Sequence, residues 1–302
     1  MRTGFFVHGM KHGTLKEYFP SGSLHMSQDY VLDKEHGSYE VWFDKEDDDI
    51  DAITKVKGAY ANGKKKGIWQ SWYSNNSQES MMTYVSDVKH GLYTEWWPKD
   101  SSQEEAQKKK EGTYTLGKED GEWNMWHANG LLKSKGTFSQ GIKNGPVEEW
   151  YNYLIEGNPV LKMRGEHKDG KQDGLWESYF VDGTMEITQE YKDGFLHGHI
   201  KNYYPTGALK NEGYFKEGRQ EKEYVEYHPN KEIYTRTSYL SGYKNGPYFE
   251  YYENDEIAIE GSYKQDIPYG LWQWFKDDGD VILASTDFDN EGTGVMHGFV
   301  SS

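Results

Sequence analysis

Several stretches of this chain carry the residue types of reaction or ion sites. Gly58-Ala59-Tyr60-Ala61-Asn62-Gly63-Lys64-Lys65 has the glycine-to-lysine spacing of a phosphate-binding loop, in which main-chain amides and a lysine cradle a nucleotide. Its last place holds Lys65, where a serine or threonine would be needed for magnesium. The same spacing returns at Gly112–Lys118 and Gly165–Lys171, so repetition produces it. Asp44, Glu46, Asp47, Asp48, Asp49 and Asp51 form a carboxylate run, yet it lacks the glycine and closing glutamate of a calcium loop and reads as a solvated acidic loop. Asp287-Phe288-Asp289-Asn290-Glu291-Gly292 opens like a calcium loop, but its twelfth place is Gly298 and no helices flank it. The histidines form no H-E-x-x-H pair; His12, His36, His90 and His197 each precede a glycine, a turn role. No nucleophile elbow and no positioned Ser/His/Asp set is recognisable. The expectation is a chain without catalytic residues, cofactor or metal.

The repetition itself is the stronger signal. One aromatic place recurs at Tyr18, Trp42, Trp72, Trp96, Trp126, Trp150, Tyr179, Tyr203, Tyr227, Tyr251 and Phe275, most steps being 24 residues. A period of that size means a stacked array of small units. Five residues before each ring stands Gly13, Gly37, Gly67, Gly91, Gly121, Gly145, Gly174, Gly198, Lys222, Gly246 or Gly270, which marks the start of a unit. Two residues after the glycine come Tyr39, Trp69, Tyr93, Trp123, Val147, Trp176 or Trp272. Six after it a second ring is frequent, as Phe19, Tyr73, Trp97 or Tyr204. Each unit closes on G-x-[YF]-x-x-G, as in Gly58, Tyr60, Gly63 or Gly136, Phe138, Gly141.

Trp, Tyr, Phe and Thr suit a pleated surface. Two short runs of them around a glycine turn, with a second glycine-rich turn before the next unit, read as one β-hairpin per unit. The expected fold is all-β: an elongated single-layer antiparallel meander of about eleven 24-residue hairpins, one array over residues 1–302. Half-units are expected at both ends, since Gly4, Phe6 and Gly9 match a closing half and Val295-Met296-His297-Gly298 an opening half. Its repeat core is assigned to Trp42, Trp72, Trp96, Trp126, Trp150, Tyr179, Tyr203, Tyr227, Tyr251 and Phe275. In a plain strand the second and sixth places share a face and the fifth points away. Either both faces carry rings, or a bulge re-aims the fifth place. Regular mid-strand glycine suggests a ring pressed on backbone, or positive φ.

The signature G-x-W-x-x-W-Y, x-x-G-x-L, G-x-[YF]-x-x-G resembles the variant MORN repeat found in bacterial proteins labelled YwqK-type antitoxins. Gly67, Trp69, Trp72 and Tyr73 carry it, as do Gly121, Trp123, Trp126, Gly130, Leu132, Gly136, Phe138 and Gly141. The match covers nearly the whole chain. The resemblance implies a hairpin meander, often curved, with no catalytic residues to transfer.

Three units run long, from Gly37 to Gly67, Gly91 to Gly121 and Gly145 to Gly174. The extra residues, near Asp44–Lys55, Pro98–Lys110 and Asn152–Val160, fall between the two strands of a unit and are expected along one edge of the sheet. They mark either tolerated loop drift or a partner site, for which the candidates are Asp44, Glu46, Asp47, Asp48, Asp49, Asp51, Glu104, Glu105, Tyr153 and Glu156. Net charge is −16 with four arginines, which disfavours nucleic acid and anionic membrane and favours a basic protein partner. The same acidity also serves plain solubility. There is no cysteine and no apolar run long enough for a spanning helix or a secretory signal, so a cytoplasmic protein is expected, monomeric or weakly self-associating. The expected function is a non-catalytic, protein-binding inhibitor of the immunity or antitoxin kind. A structural scaffold and a phage-encoded inhibitor of a bacterial defence protein are the alternatives.

Overall fold

The computed structural model describes residues 1–44, 52–100, 104–277 and 282–298. Every regular element among them is a strand, and within each of two compact units the strands from Gly13–Tyr18 onward pair antiparallel in sequence order, while Arg2–Thr3 pairs with Gly13–Tyr18 and Phe6–Val7 with Met10–Lys11 alone. Two compact units divide the chain, Met1–Leu154 and Ile155–Ser302. Both use the same hairpin. A nine-residue strand that begins near the unit glycine, such as Lys64–Trp72 or Lys118–Trp126, is followed by an eight-residue strand, Gln78–Val85 or Leu132–Ser139.

The connection back to the next long strand has two residues, both left-handed: Asn62 and Gly63 (φ 54° and 80°), Gln140 and Gly141 (52° and 83°), Asp193 and Gly194 (53° and 86°). This is the type I′ turn, whose twist matches that of the flanking strands. Most such turns also donate an amide to a turn-flanking residue of the hairpin before them, as Gly63 N to Glu35 O (2.8 Å) and Gly141 N to Glu119 O (2.7 Å). The opposite ends are joined in the same way through side chains. Tyr73 Oη donates to Trp96 O (2.9 Å) and Asn75 Nδ2 to Lys99 O (2.8 Å); in the second unit Tyr252 Oη donates to Phe275 O and Asn254 Nδ2 to Asp277 O. The second ring of the repeat is therefore a staple between successive hairpins.

Both readings of the recurring glycine hold, at different positions. The unit glycines have positive φ, for example Gly67 at 71° and Gly121 at 77°. Where the series departs, Lys222 takes φ 64°; its ammonium lies 3.7 Å from the centroid of the Tyr214 ring, a contact that offsets part of the strain. The left-handed residue opens a bulge: Ala59 faces Lys66 and Lys57 faces Gln70, so Gly58 alone opposes Gly67, Ile68 and Trp69. That register drops the Trp69 indole onto the bare backbone of Gly58. Trp123 lies on Gly112, Trp176 on Gly165, Tyr224 on Gly213 and Trp272 on Gly261 in the same way. A neighbouring ring closes each stack edge-on, with Tyr60–Trp69, Tyr114–Trp123 and Tyr263–Trp272 centroids each 5.0 Å apart.

Much of the buried apolar bulk thus lies two places after the unit glycine, at Leu15, Trp69, Trp123, Val147, Trp176 and Trp272, beside other buried residues such as Met82, Gln28 and Thr94. The ten residues that sequence assigned to the core, Trp42, Trp72, Trp96, Trp126, Trp150, Tyr179, Tyr203, Tyr227, Tyr251 and Phe275, are half-buried. They occupy the other face. Tyr179 Oη reaches Glu177 on its own strand, and the Phe249 and Tyr251 rings are 6.3 Å apart, whereas Tyr93 Oη reaches Glu95 and Tyr248 Oη reaches Glu250. Third and fifth places share one face, second and fourth the other, so both faces carry rings. The fifth-place bulge sits in the facing strand: Ser71 faces Ser80 but Trp72 faces Gln78.

Burial of these phenols sets an alkaline limit on the fold. Tyr224 is pushed up to about 12 by burial and then by Glu226, and Tyr227 to about 12 by burial and its hydrogen bond to Glu212. The unfolded chain ionises its tyrosines near 10, so this contribution is intact below pH 10 and lost as pH climbs toward about 12. The melting temperature is expected to stay level from about pH 7 to 9 and then fall by on the order of 10 °C by about pH 11. Tyrosinate absorbance should appear together with unfolding; a level profile through pH 11 with full tyrosinate absorbance would contradict it.

Candidate functional site

The sequence candidates separate when placed in the fold. Glu46, Asp47, Asp48, Asp49 and Asp51 lie outside the described residues. Asp44 serves the hairpin staple, its Oδ1 accepting from Ser21 Oγ (2.6 Å) and Ser23 Oγ (2.7 Å) of the preceding connection. Glu104 and Glu105 are exposed in the connection between Val88–Trp96 and Lys108–Thr115. The third long unit spends its extra residues differently. They lengthen its strands to Ile142–Ile155 and Asn158–Lys168, with only Glu156 and Gly157 between, both at positive φ. Tyr, Leu and Ile at 153–155 favour extended backbone, and Glu-Gly makes the two-residue turn. Tyr153 stacks on Tyr151 at 5.5 Å and 23°. The described candidates, Asp44, Glu104, Glu105, Tyr153 and Glu156, belong to three separate hairpins.

Charge is not shared evenly either. Residues 1–154 hold 19 Lys and Arg against 23 Asp and Glu, a net −4; residues 155–302 hold 15 against 27, a net −12. In the second unit the register lines up one row of fourth-place side chains across a face: Asn202, Asn211, Glu226, Thr235, Glu250 and Ile259. Asn202 Nδ2 donates to Asn211 Oδ1 (2.5 Å), Thr235 Oγ1 to Glu226 Oε2 (2.9 Å) and Tyr248 Oη to Glu250 Oε2 (2.9 Å). Glu226 faces Thr235 while Tyr227 faces Ile233, so Tyr234 is a bulge residue; it is 40% exposed, with the His228 ring 4.8 Å away. Asn202 and Asn211 border an open hollow of about 430 Å³ that Phe180, Tyr204 and Lys210 also line. The corresponding row of the first unit contains Ser71, Ser80, Glu95 and Lys110. There Glu95 pairs with Lys109 at 2.7 Å and holds that ammonium above its ordinary range. Among the described residues Glu226 and Glu250 stand in no ion pair. Sequence reading missed this row because the bulges hide which residues align.

Residues 11–31, 196–217 and 244–265 match the family model of the MORN repeat variant. Each segment corresponds to one hairpin of the repeat, Gly13–Tyr18 with Leu24–Val31 in the first case and Phe195–Tyr203 with Leu209–Lys216 in the second. These three hairpins are similar to the variant MORN repeat. The matches take up about a fifth of the chain, and the intervening hairpins repeat the same glycines, bulges and turns. No match is found among curated proteins. Among solved structures, the chain is similar at 8% identity and a TM-score of 0.13 to a chain of "Crystal Structure of TcdB2-TccC3-Cdc42", over 97% of this chain and 23% of that one. A likeness this distant says nothing about function.

Proposed function

We propose that this variant MORN-repeat chain is a non-catalytic, protein-binding inhibitor that covers the active surface of a basic effector, in the manner of an immunity protein or antitoxin. The observation that carries the reading is the net −12 of residues 155–302. A field of that sign speeds encounter with a basic protein and repels phosphate-rich partners. The repeat supports it further, because a periodic sheet presents a broad surface and spends its residues on architecture. The tagged full chain should retain a basic protein from its native host, release it as salt is raised from about 0.05 to 0.5 M, and abolish its activity when the two are mixed. Retention of no protein, or binding indifferent to salt, would overturn the proposal.

A further inference from the structure

The two rows compared above differ in one respect. In the first unit the row's carboxylates are Glu17, ion-paired with Arg2, Glu95, ion-paired with Lys109, and Glu149, which stands in no ion pair among the described residues but whose row neighbours Ser134 and Met125 carry no charge. In the second unit two carboxylates stand in the row, Glu226 and Glu250, with Thr235 between them and only hydroxyl donors upon them. Their strands lie two steps apart, about 9–10 Å, so the two side chains can approach one cation from opposite sides. Tyr234 is lifted by the bulge at the same place and is half exposed, supplying a ring for the stem or the charge of a long basic side chain. Its phenol is held above the ordinary range, first by Glu250, then by burial and Glu226, which puts both carboxylates in the same local field. The surrounding unit carries the complementary sign.

Resting on the basic-partner reading, we propose that Glu226 and Glu250, on either side of the buried Thr235 and with the exposed Tyr234 next to it, receive an arginine or lysine side chain of that partner. The site thereby lies on the sheet face of residues 155–302 and not on the inserted connections of the first unit. Each carboxylate already holds one hydroxyl donor, which fixes its orientation and leaves acceptor capacity for the incoming cation.

The probe is a fluorescently labelled hexa-arginine peptide, titrated against the full chain in 0.15 M salt, where screening limits contributions from remote charges. E226Q/E250Q is expected to weaken binding about tenfold or more, and Tyr234→Ala, which leaves the charge unchanged, about fivefold. E253Q/E256Q removes the same charge from exposed turn residues of the same unit and should weaken binding less than about twofold. Unchanged melting temperatures for the variants establish that they fold. Equal weakening by the two glutamate pairs means a diffuse field only and sinks the site while leaving the basic-partner reading intact. An unaltered chain that fails to bind the peptide sinks that reading itself.

Discussion

Replacing Gly112 by alanine is expected to destabilise the protein by about 3 kcal/mol or more, whereas the equivalent change at Gly136 costs less than about 1 kcal/mol. Both glycines occupy the same place in the repeat, in strands Lys108–Thr115 and Leu132–Ser139. Neither has the positive φ that would make alanine unwelcome for backbone reasons. They differ in what lies above them. A Cβ on Gly112 would fall inside the indole of Trp123, far within the 3.0 Å that real Cβ atoms keep, and the ring has no free side to retreat to. A Cβ on Gly136 would meet Val147 Cγ2 at 3.8 Å, an ordinary contact. Urea denaturation of the two variants, followed by circular dichroism, makes the comparison. Equal midpoints would mean that the ring is not seated on the glycine and that the bulged register is wrong.

Trp123→Ala is expected to cost about 3–5 kcal/mol and Trp126→Ala about 1–2 kcal/mol. The two residues stand three apart on one strand and both are tryptophan, so composition gives no reason to rank them. Trp123 is 2% exposed, closed in by Gly112 beneath, Tyr114 at 5.0 Å and Phe138 at 6.4 Å. Trp126 lies on the opposite face, half-buried, with the Lys108 ammonium 5.7 Å from its ring. Because such arrays unfold in parts rather than all at once, the readout is the loss of local protection in hydrogen exchange over residues 108–139. A larger loss from Trp126→Ala would return the repeat core to the fifth place.

That second comparison shows where reading the sequence succeeded and where it stopped. The period, the hairpin and the turns were legible because Gly63, Gly117 and Gly141 recur at one offset and strand residues fill the intervals. The more regular ring, Trp72 or Trp126, looked like the core because it never fails. Burial instead follows the residue three places earlier, which varies from Leu15 to Val147 to Trp272. Such variation is natural there: what the site requires is bulk over a strand, and the indoles and Tyr224 lie over a glycine, whereas Tyr39, Tyr93 and Tyr248 face Gln28, Met82 and Thr237. Where Val147 takes the place, Gly136 keeps room to spare. Alternation counted along a single strand could not reveal this, since each long strand gains residues at its bulge and shifts the alignment with its neighbour. The row through Glu226 and Glu250 was hidden for the same reason. Its two acids lie 24 residues apart and look like any other pair among the 50 of the chain until pairing sets them on either side of Thr235.

The two kinds of connection in this fold obey different rules of growth. The two-residue left-handed turns are locked to their neighbours by main-chain amides, so an added residue there would disturb three hairpins at once. The other connections, most of them held through side chains such as Asn75 and Tyr73, already range from the two residues Glu156 and Gly157, through five after Trp72, to eleven after Trp96. New peptide can therefore be grafted on only one rim of each unit, and a designer wishing to display a foreign epitope should place it after the fifth-place ring and leave the glycine turns alone.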